Sequence, residues 1–367
     1  MTIKTLTLKS FRCYDALTLE PNPQLNIIVG ANAQGKTSIL EAIHTLGLTK
    51  SHKLAKDQDL IQKGKDFAQI QALFDLKEQP LHLSVILSKS GKKAKYNKIE
   101  MTKLSDYIGL FNVVMFAPED LELVKGSPQE RRRFIDMEIG QLSRAYMKNL
   151  LHYRRLLRER NDVLKGLSQG KFDQTMLDVL TEQLIHYAEK IIQARQLFVD
   201  DLNQKLDQIH PTLTKDDPTV RIEYAPSIDK DLTKAYQSKR KLDIIAKATQ
   251  LGPHRDDLHF FFDKDLVKNF ASQGQIRSAV LALKLAVVEM IRERKGKPPI
   301  ILLDDVFSEL DVERQRQVMH AFDHTTQVFI TTTHIHHIDL ETIPTYQIIT
   351  IESGKIKGVE RHGRKTL

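Results

Sequence analysis

The octapeptide Gly30-Ala31-Asn32-Ala33-Gln34-Gly35-Lys36-Thr37 sets the architecture into which the rest of the chain must fit. It matches G-x-x-x-x-G-K-[ST], the pattern of a phosphate-binding loop. Residues 26–29 before it read as a short buried strand, and residues 38–43 after it read as a helix. Backbone N–H groups of such a loop, together with the positive end of the helix dipole, bind phosphate groups. The sequence therefore predicts a nucleotide site on an α/β sheet.

The side chains at the end of this loop predict which parts of a nucleotide the protein binds. Lys36 is expected to reach the β- and γ-phosphates, and Thr37 is expected to ligate Mg²⁺. We therefore expect Mg²⁺ and a nucleotide with β- and γ-phosphates as cofactors; ATP as that nucleotide is implied by the resemblance described below. The residues expected to contact the nucleotide in this segment are Gly30, Ala31, Asn32, Ala33, Gln34, Gly35, Lys36, Thr37 and Ser38.

Length and composition narrow the class of protein. The chain has 367 residues, enough for one large or two ordinary domains, and 41% of them are hydrophobic. No stretch approaches the length of a transmembrane helix, and the alternating start of the chain lacks the apolar core of a signal peptide, so we expect a cytoplasmic protein. The single cysteine, Cys13, excludes an intramolecular disulfide framework and multi-cysteine metal sites. The net charge of +8 is a weak indication of a polyanionic partner.

The middle of the chain has the periodicity of long helices rather than the alternation of strands. Residues near 128–209 read as two long helices that form a hairpin, interrupted by Ser168-Gln169-Gly170 and ended by Pro211 and Asp217-Pro218. The first apolar stripe consists of Leu142, Tyr146, Leu150, Tyr153 and Leu157. The second consists of Leu177, Leu180, Leu184, Ile191, Phe198, Leu202 and Leu206. Both stripes are narrow, as in a coiled coil.

Two basic segments are candidate DNA surfaces. Arg154, Arg155 and Arg158 share part of one face of the first predicted helix, which either binds a DNA backbone or is merely solvated. Lys92 and Lys93 belong to a group of five lysines beside a predicted turn at Ser90-Gly91. A solvated hairpin tip is the simpler interpretation of that second group.

A second set of residues completes the predicted ATP site. Ser272-Gln273-Gly274-Gln275 immediately precedes a helix, where it forms an anion-binding end or a simple N-cap. Residues 300–305 form an apolar strand that ends in two carboxylates. Such a strand delivers its last residues to the ligand edge of a parallel sheet. Asp304 is placed to hold Mg²⁺, and Asp305 to orient or deprotonate the attacking water.

This ordered set resembles the ATP-binding cassette ATPases, in the branch related to chromosome-maintenance ATPases. The resemblance narrows further to the RecF family of bacterial DNA gap-repair proteins. The segments that carry it are Phe11-Arg12-Cys13-Tyr14, Phe116-Ala117-Pro118-Glu119-Asp120-Leu121, Gly126-Ser127-Pro128, Arg131-Arg132 and Gly252-Pro253-His254-Arg255-Asp256-Asp257-Leu258.

The resemblance implies an α/β fold of the cassette-ATPase head type, with a phosphate-loop core sheet and antiparallel N-terminal strands. The head would comprise residues 1–127 and 251–367, and residues 128–250 would form an inserted helical lobe. It also implies a homodimer that closes around ATP. The phosphate loop of one subunit would face Ser272, Gly274 and Gln275 of the other.

The same resemblance implies a role in recombinational repair, replication and the SOS response. Such dimers clamp double-stranded DNA, favour junctions with single-stranded DNA, and work with RecO and RecR to help RecA replace single-strand-binding protein. Arg12 joins the nucleotide-binding residues by this resemblance. Asp305 stands where most cassettes have glutamate, which suggests slow hydrolysis. Glu119 stands at a glutamine position of transporter cassettes, and His334 at a switch-histidine position.

Several assignments remain open. His334 has His336 and His337 as neighbours, so it is either a switch histidine or a member of a surface histidine cluster. His254-Arg255 fits a turn with a local salt bridge to Asp256 or Asp257 as well as it fits a functional role.

Two other functions compete. A nucleotide-binding subunit of a membrane transporter would co-purify with membranes, and the arginine-bearing hairpin argues against it. A phosphate-loop kinase would release a phosphorylated small molecule, and the Ser272 segment argues against it.

Overall fold

A computed structural model describes residues 1–53, 56–75, 80–167, 171–214, 217–228, 231–322, 325–335, 340 and 343–363. The chain divides into two compact units. The first unit comprises Met1–Asp120 and Leu281–Leu367, and the second comprises Leu121–Val280. The elements are numbered along the chain.

An antiparallel sheet forms half of the first unit. Its six strands lie in the order β2-β1-β4-β5-β6-β7. Apolar and polar residues alternate along β4, so one face packs on the core and the other meets solvent. The strands are β1 (Thr2–Phe11), β2 (Tyr14–Leu19), β4 (Phe67–Asp75), β5 (Leu81–Ser88), β6 (Gly91–Tyr96) and β7 (Ile99–Glu100).

The second sheet of this unit carries the predicted phosphate loop. Its order is β15-β14-β3-β13-β12-β8, and all neighbours are parallel except β15 with β14. Every residue of β12 and β13 is buried, as expected for a parallel sheet covered on both faces. The strands are β3 (Leu25–Val29), β8 (Val113–Phe116), β12 (Ile300–Asp304), β13 (Val328–Thr332), β14 (Thr345–Glu352) and β15 (Lys355–Gly363).

Helix α1 (Lys36–Leu48) contacts strands of both sheets. Its apolar residues Ile39, Leu40 and Ile43 are fully buried, so the helix holds the two sheets together. The unit also contains α2 (Leu104–Tyr107), α10 (Val312–His320), and 3-10 helices at Asp57–Leu60 and Val306–Glu309. These elements confirm the predicted α/β fold class with an antiparallel N-terminal sheet and a phosphate-loop core sheet.

The second unit is mainly helical. Its small antiparallel sheet has the order β11-β10-β9. A 3-10 helix at Pro118–Leu121 leads into this unit, and α9 (Gln273–Lys295) leads out of it. The other elements are α3 (Glu122–Lys125), α4 (Pro128–Leu142), α5 (Arg144–Leu167), α6 (Gln174–Leu213), α7 (Leu232–Ala246), α8 (Val267–Phe270), β9 (Val220–Ala225), β10 (Asp257–Phe262) and β11 (Asp265–Leu266). Within the described part of the chain, no helix combines the length and the apolar character needed to cross a bilayer.

The helical segment differs from its sequence-based prediction in three details. The first predicted helix is two helices, because Ser143 is extended between α4 and α5. The buried stripe of α5 continues through Leu156 rather than Leu157, which is only half-buried. Helix α6 continues past Pro211 and ends at Leu213. A proline in the last turn removes one backbone hydrogen bond, and here the helix does not end at it. Ser168-Gln169-Gly170 lies outside the described residues.

The compact units and the predicted lobes divide the chain at different residues. The second unit spans Leu121–Val280, whereas the predicted helical lobe spans residues 128–250, and that lobe stays a prediction. Strand β10 pairs with β9 from Asp257↔Ala225 to Phe262↔Val220. This ladder ties the residues after 251 to the helical segment, and sequence periodicity does not reveal such a pairing.

Candidate ATP and magnesium site

The phosphate loop lies between the end of β3 and the start of α1, as predicted. Gly35 precedes the helix with φ of +107°, a conformation that favours glycine. A Cβ atom there would lie 2.7 Å from Cys13 Sγ and 2.8 Å from the Tyr14 hydroxyl oxygen. The same hydroxyl donates a hydrogen bond to Gly35 O at 3.0 Å. The turn between β1 and β2 therefore supports the loop at its glycine.

The start of the loop is held by the turn between β14 and β15. A Cβ atom on Gly30 would lie 2.4 Å from Ile351 O, so this close approach of two backbones requires glycine. Gln34 accepts two hydrogen bonds from that turn, one at its carbonyl from Gly354 N at 3.1 Å and one at Oε1 from Ser353 N at 2.5 Å. The loop is thus fixed at both ends before any ligand binds.

Lys36 lies back along its own loop. Its Nζ donates to Gly30 O at 2.7 Å and to Ala31 O at 2.8 Å. Burial lowers the pKa of the ammonium group, and the negative charges of Asp305 and Asp304 partly oppose that shift. Both acceptors are neutral carbonyls, so a phosphate oxygen, which makes a stronger charge-assisted bond, can replace them.

The predicted magnesium ligands meet where α1 begins and β12 ends, beside Thr331 of β13. Thr37 Oγ1 donates to Asp304 Oδ1 at 2.8 Å, and Thr331 Oγ1 donates to the same oxygen at 2.7 Å. Asp304 is only 4% exposed. Burial raises the pKa of its carboxyl, and the two hydroxyl hydrogen bonds partly offset this shift. Hydroxyl and carboxylate oxygens are the ligands that Mg²⁺ prefers, so Thr37 and Asp304 fit the ion.

Asp305 occupies the next position in a strained backbone conformation, with φ of +52°. Its N–H donates to Thr331 Oγ1 at 3.0 Å, and its carbonyl accepts from Ser308 Oγ at 2.6 Å. Among the residues that the structure describes, no donor reaches the buried atom Asp305 Oδ1. A buried carboxylate oxygen without a donor is an acceptor available for water or a ligand. This fits the role predicted for Asp305.

Arg12 is anchored at the rim of the same site. Its Nε and Nη2 donate to the two carboxylate oxygens of Glu41 at 2.7 and 2.8 Å, and Nη1 donates to Asp59 O at 2.9 Å. The hydrogen bond to Glu41 raises the pKa of the guanidinium further, so its charge is permanent. Glu41 is buried and also accepts from Ser51 Oγ at 2.5 Å. Arg12 therefore presents a fixed positive charge beside the loop.

These groups line one cleft of about 490 Å³ in the first unit, large enough for a nucleotide. Glu119 and His334 do not line it. Glu119 is exposed and forms an ion pair with Lys53 at 2.7 Å. His334 is exposed, and its carbonyl accepts from Thr332 Oγ1 at 2.9 Å, while His336 and His337 lie outside the described residues. The lining residues are Arg12, Cys13, Asn32, Ala33, Gly35, Lys36, Thr37, Ser38, Asp59, Ile61, Lys63, Asp304, Asp305 and Thr331.

Ser272, Gly274 and Gln275 lie in the second unit, at the start of α9. Ser272 N donates to Gln275 Oε1 at 2.9 Å, and Gln275 N donates to Ser272 Oγ at 3.2 Å. These reciprocal bonds cap the helix. Gln275 Nε2 also donates to Asp217 Oδ1 at 2.9 Å. The three residues are thus rigidly placed, Ser272 is exposed, and their role toward a partner subunit stays a prediction.

The two basic segments differ in accessibility. Arg154, Arg155 and Arg158 are exposed on α5, although Arg154 binds Asp136 at 2.9 Å and Arg155 pairs with Glu159 at 3.3 Å. The Lys92 side chain is only 13% exposed and bonds to Thr49 O and Asp57. Lys93 is exposed and pairs with Glu100. The α5 face is therefore the more accessible candidate surface for DNA phosphates.

The His254-Arg255 turn is held by contacts that the sequence did not suggest. Tyr153 Oη lies 2.7 Å from His254 Nδ1, and Nε2 lies 3.1 Å from Thr249 O, which assigns the ring hydrogen to Nε2. Burial lowers the pKa of His254 to about 4, so the ring is neutral near pH 7. Asp256 pairs with the distant Arg195 and Asp257 with Arg131, so both carboxylates form long-range pairs instead of the local salt bridge that was one of the two open interpretations.

Sequence reasoning missed several residues of the site. Thr331 could have been inferred, because β13 lies beside β12 and its residue in register with Asp304 must reach the same sheet edge. Tyr14, Glu41 and Lys53 carry no local signal, since each acts through a residue distant in the sequence. Ile61 and Lys63, which line the cleft, follow a 3-10 helix that the sequence did not predict.

Comparison with known proteins agrees with this geometry. Residues 2–356 match the family model described as RecF/RecN/SMC N terminal domain. DNA replication and repair protein RecF of Halalkalibacterium halodurans is 45% identical, over 97% of this chain and 99% of that protein. The RecF protein of Bacillus pumilus is 43% identical, over 97% of this chain and 100% of that protein.

The chain also resembles solved structures of a RecF-type fold. A structure described as the recombination mediator protein RecF-ATP in the RecFOR pathway has a TM-score of 0.89 at 27% identity, covering 99% of this chain and 98% of that one. The Smc head domain of Pyrococcus furiosus, with a TM-score of 0.55 at 17% identity over 99% of this chain and 96% of that one, shares the fold. The chain therefore belongs to the RecF family, within the wider RecF/RecN/SMC family.

Proposed function

We propose that this protein is an ATP-dependent DNA-binding protein of replication and recombinational repair. Two copies close around ATP and clamp DNA at gaps and at junctions of duplex with single-stranded DNA, and slow ATP hydrolysis reopens the clamp. The observation that carries the proposal is that Lys36, Thr37, Asp304 and Asp305 line one cleft. Among the described residues, no donor reaches Oδ1 of Asp305. The RecF names of the relatives and the ATP-bound RecF structure supply the context.

Each residue of the cleft has a distinct task in this proposal. Lys36 gives up its two carbonyl acceptors and binds the phosphates. Thr37 and Asp304 hold Mg²⁺, which neutralises phosphate charge when bound. Asp305 orients the attacking water or accepts its proton at Oδ1, the atom without a donor among the described residues. An aspartate reaches one methylene less far than a glutamate, which fits slow turnover.

The second unit supplies the remaining parts of the clamp. Ser272, Gly274 and Gln275 contact the γ-phosphate held by the partner subunit, so ATP joins the two copies. Arg154, Arg155 and Arg158 contact DNA phosphates, and their charge does not distinguish one sequence from another. RecO and RecR are the proposed partners in loading RecA, and the cytoplasm is the proposed location.

The competing functions have less support. Curated relatives that match nearly the whole chain are named DNA replication and repair proteins, which does not favour a transporter subunit. A small-molecule kinase lacks a use for the capped Ser272 segment and for the exposed arginines of α5.

Sedimentation with ATP, without ATP, and with duplex DNA tests the proposal. The parent protein should shift from monomer to dimer with ATP, and Ser272→Arg should bind ATP normally but remain a monomer, because a bulky cation blocks closure. Ser238→Arg, which alters an exposed serine of α7 in the same unit, is the matched control and should dimerise. Normal ATP-induced dimerisation of Ser272→Arg would contradict the shared site.

A further inference from the structure

Helix α7 places two of its large aliphatic side chains in solvent. Leu242 and Ile245 are 50% and 77% exposed, and residues three positions apart are neighbours on the surface of a helix. The other face of the helix contains Tyr236 and Asp243, which are both 1% exposed. The helix therefore buries a carboxylate while it exposes two aliphatic side chains, which is the reverse of the usual amphipathic pattern.

Polar contacts hold the inner face of α7 in place. Asp243 forms an ion pair with Arg160 at 2.9 Å and accepts a hydrogen bond from Gln250 N at 2.9 Å. The Tyr236 hydroxyl donates to Leu251 O at 3.0 Å. Because these bonds fix the rotation of the helix about its axis, the exposed face is formed before any partner binds to it.

The exposed face of α7 is basic. Residues 232–247 include four lysines and one arginine, and Asp243 is their single carboxylate. Arg240 pairs with Asp178 of α6, so it belongs to the side of the helix that packs on α6. All four lysines are exposed: Lys234, Lys239, Lys241 and Lys247. Since its only carboxylate is buried, α7 offers these lysines no acidic partner on its own surface.

Basic and apolar side chains share one row on this face. Lys234, Ser238, Lys241 and Ile245 follow one another at spacings of four, three and four, which places them in line along the helix. The row is about 16 Å long, a distance that about five residues of extended peptide span. Lys234, at one end of the row, is 84% exposed and forms an exposed ion pair with Asp231 at 3.4 Å. Such a pair costs little to separate.

These features together fit an acidic peptide that also carries apolar side chains. Its carboxylates would pair with the lysines, and its apolar side chains would cover Leu242 and Ile245. Duplex DNA fits this face less well, because charged and polar side chains contact a DNA backbone and aliphatic ones gain nothing there. A lipid surface also fits less well, because a helix that enters it needs a continuous apolar face, and Ser238 and Lys241 interrupt this one.

We propose that an acidic segment of a partner protein, carrying apolar side chains, docks on the exposed face of α7. We call this face the α7 patch, and it consists of Lys234, Lys239, Lys241, Leu242 and Ile245. The lysines attract and hold the acidic residues, and the two aliphatic side chains receive the apolar ones. The patch lies in the second unit and shares no residue with the ATP cleft, so this inference goes beyond the proposed function and does not depend on ATP.

Fluorescence anisotropy with two labelled nine-residue peptides tests the α7 patch. The first peptide is Asp-Asp-Glu-Leu-Asp-Leu-Glu-Asp-Asp, and the second has serine in place of both leucines. The full chain without nucleotide should bind the first peptide at least about tenfold more tightly, because only its leucines remove aliphatic surface from water. Ile245→Ser should weaken binding of the first peptide at least about fivefold and leave the second unchanged. Lys241→Glu should weaken both peptides at least about fivefold.

Control variants alter the same kinds of residue outside the patch. Leu197→Ser changes an aliphatic side chain of α6 that is 57% exposed, and Lys264→Glu changes an exposed lysine of the same unit. Both should bind the two peptides as the parent does. Thermal melts of each variant verify folding, and Leu242→Ser replaces Ile245→Ser if the latter is unstable.

Three outcomes would overturn the docking site. The first is no binding of the leucine peptide at about 1 mM, which is weaker than a specific peptide contact of this kind. The second is equal affinity for the two peptides, or an affinity that Ile245→Ser does not change. The third comes from titrations of the same variants with duplex DNA and with phosphatidylglycerol vesicles: if the substitutions weaken either of these but not the peptide, the face serves that other ligand.

Discussion

Two clusters of buried charge, one around Arg195 in the second unit and one at the end of β12 in the first, differ in how completely they are hydrogen-bonded. In the second unit, Arg195 is 2% exposed and bonds to Asp136 at 2.9 Å and to Asp256 at 3.1 Å. Its guanidinium also donates to the Tyr146 hydroxyl and to Pro253 O. In the first unit, the buried atom Asp305 Oδ1 has no donor among the described residues. The Arg195 cluster is thus fully hydrogen-bonded, whereas Asp305 keeps one acceptor without a donor among the described residues.

This difference separates groups that specify packing from groups that serve a ligand. Arg195 joins α6 to α4 and to the turn before β10, so its bonds fix how these elements pack. Lys36 lies at the start of α1, where a phosphate can replace its two carbonyl acceptors, and Asp305 follows the end of β12, where its Oδ1 can accept from a water or a ligand. Substitutions in the two regions should therefore fail in different ways: loss of stability in the second unit, and loss of ligand binding in the first.

The largest effect should be a loss of folding stability when the Arg195 cluster is disrupted. Arg195→Met leaves Asp136 and Asp256 buried without their cation, which typically costs about 3–5 kcal/mol of unfolding free energy. Chemical denaturation measures this loss. Arg155→Met, which removes an exposed pair on α5, is the matched control and should cost less than about 0.5 kcal/mol. Equal stability of the two variants would show that the buried bonds of Arg195 do not stabilise the fold more than an exposed ion pair does.

Lys36→Ala should cause the next largest effect, this time on binding alone. A charge-assisted phosphate contact contributes about 1.5–3 kcal/mol, so ATP affinity should fall at least about tenfold. Nucleotide titration measures the affinity, and thermal denaturation should show a fold close to that of the parent. Lys357→Ala alters an exposed lysine of the same unit and should bind ATP normally. Unchanged affinity of Lys36→Ala would refute the assignment of the loop.

The gain in nucleotide affinity that Mg²⁺ gives should weaken as the pH falls, because Asp304 becomes protonated. Burial raises its pKa in the folded protein, so its protonated form stabilises the fold fully below the unfolded pKa near 3.8, and this contribution is lost as pH rises through the folded pKa. Magnesium needs the ionised form. As the pH falls from about 7 to values below that raised pKa, the gain in affinity for the non-hydrolysable analogue AMP-PNP that Mg²⁺ gives should therefore shrink several-fold.

Asp304→Asn is the control for this pH series. Protonation of the nucleotide itself affects both proteins equally, so the difference between them isolates Asp304. The variant should show a small gain from Mg²⁺ at every pH. Parallel pH curves for the parent and the variant would show that Asp304 does not govern the ion.

The parts that local sequence rules describe were predicted well. An apolar run before the glycine-rich loop predicted β3, and another before two aspartates predicted β12. In a parallel sheet such strands end at one edge, so the meeting of Thr37 with Asp304 follows from the topology.

The rest depends on contacts between residues distant in sequence. Nothing near Tyr14 indicates a bond to Gly35 O, and nothing near Arg195 indicates that Asp136 and Asp256 converge on it. The break at Ser143 was missed because Leu142 and Tyr146 keep a helical spacing across it. The choice of Leu156 over Leu157 was missed because both fit the period, and only the packing partners select one.

The smallest of these effects concerns DNA. Arg155→Gln with Arg158→Gln should reduce the slope of log affinity against log salt by about 2, because each lost phosphate contact releases about one counterion fewer. Binding titrations with duplex DNA over a salt series measure the slope. Lys264→Gln with Lys268→Gln alters two exposed lysines elsewhere in the unit and serves as the control. An unchanged slope would mean that this face of α5 is merely solvated.

Asp305→Asn tests the central claim most directly, since it alters the open acceptor of the cleft while sparing Lys36 and Thr37. The measurement pairs phosphate release with dissociation from DNA in excess ATP. The amide is nearly isosteric but a far poorer base, so hydrolysis should slow by at least about tenfold while the ATP-bound dimer stays longer on DNA. Unchanged hydrolysis would show that Asp305 is not the catalytic carboxylate and would leave Glu119 as the next candidate. Slow hydrolysis with DNA release as fast as in the parent would contradict the ATP-gated clamp.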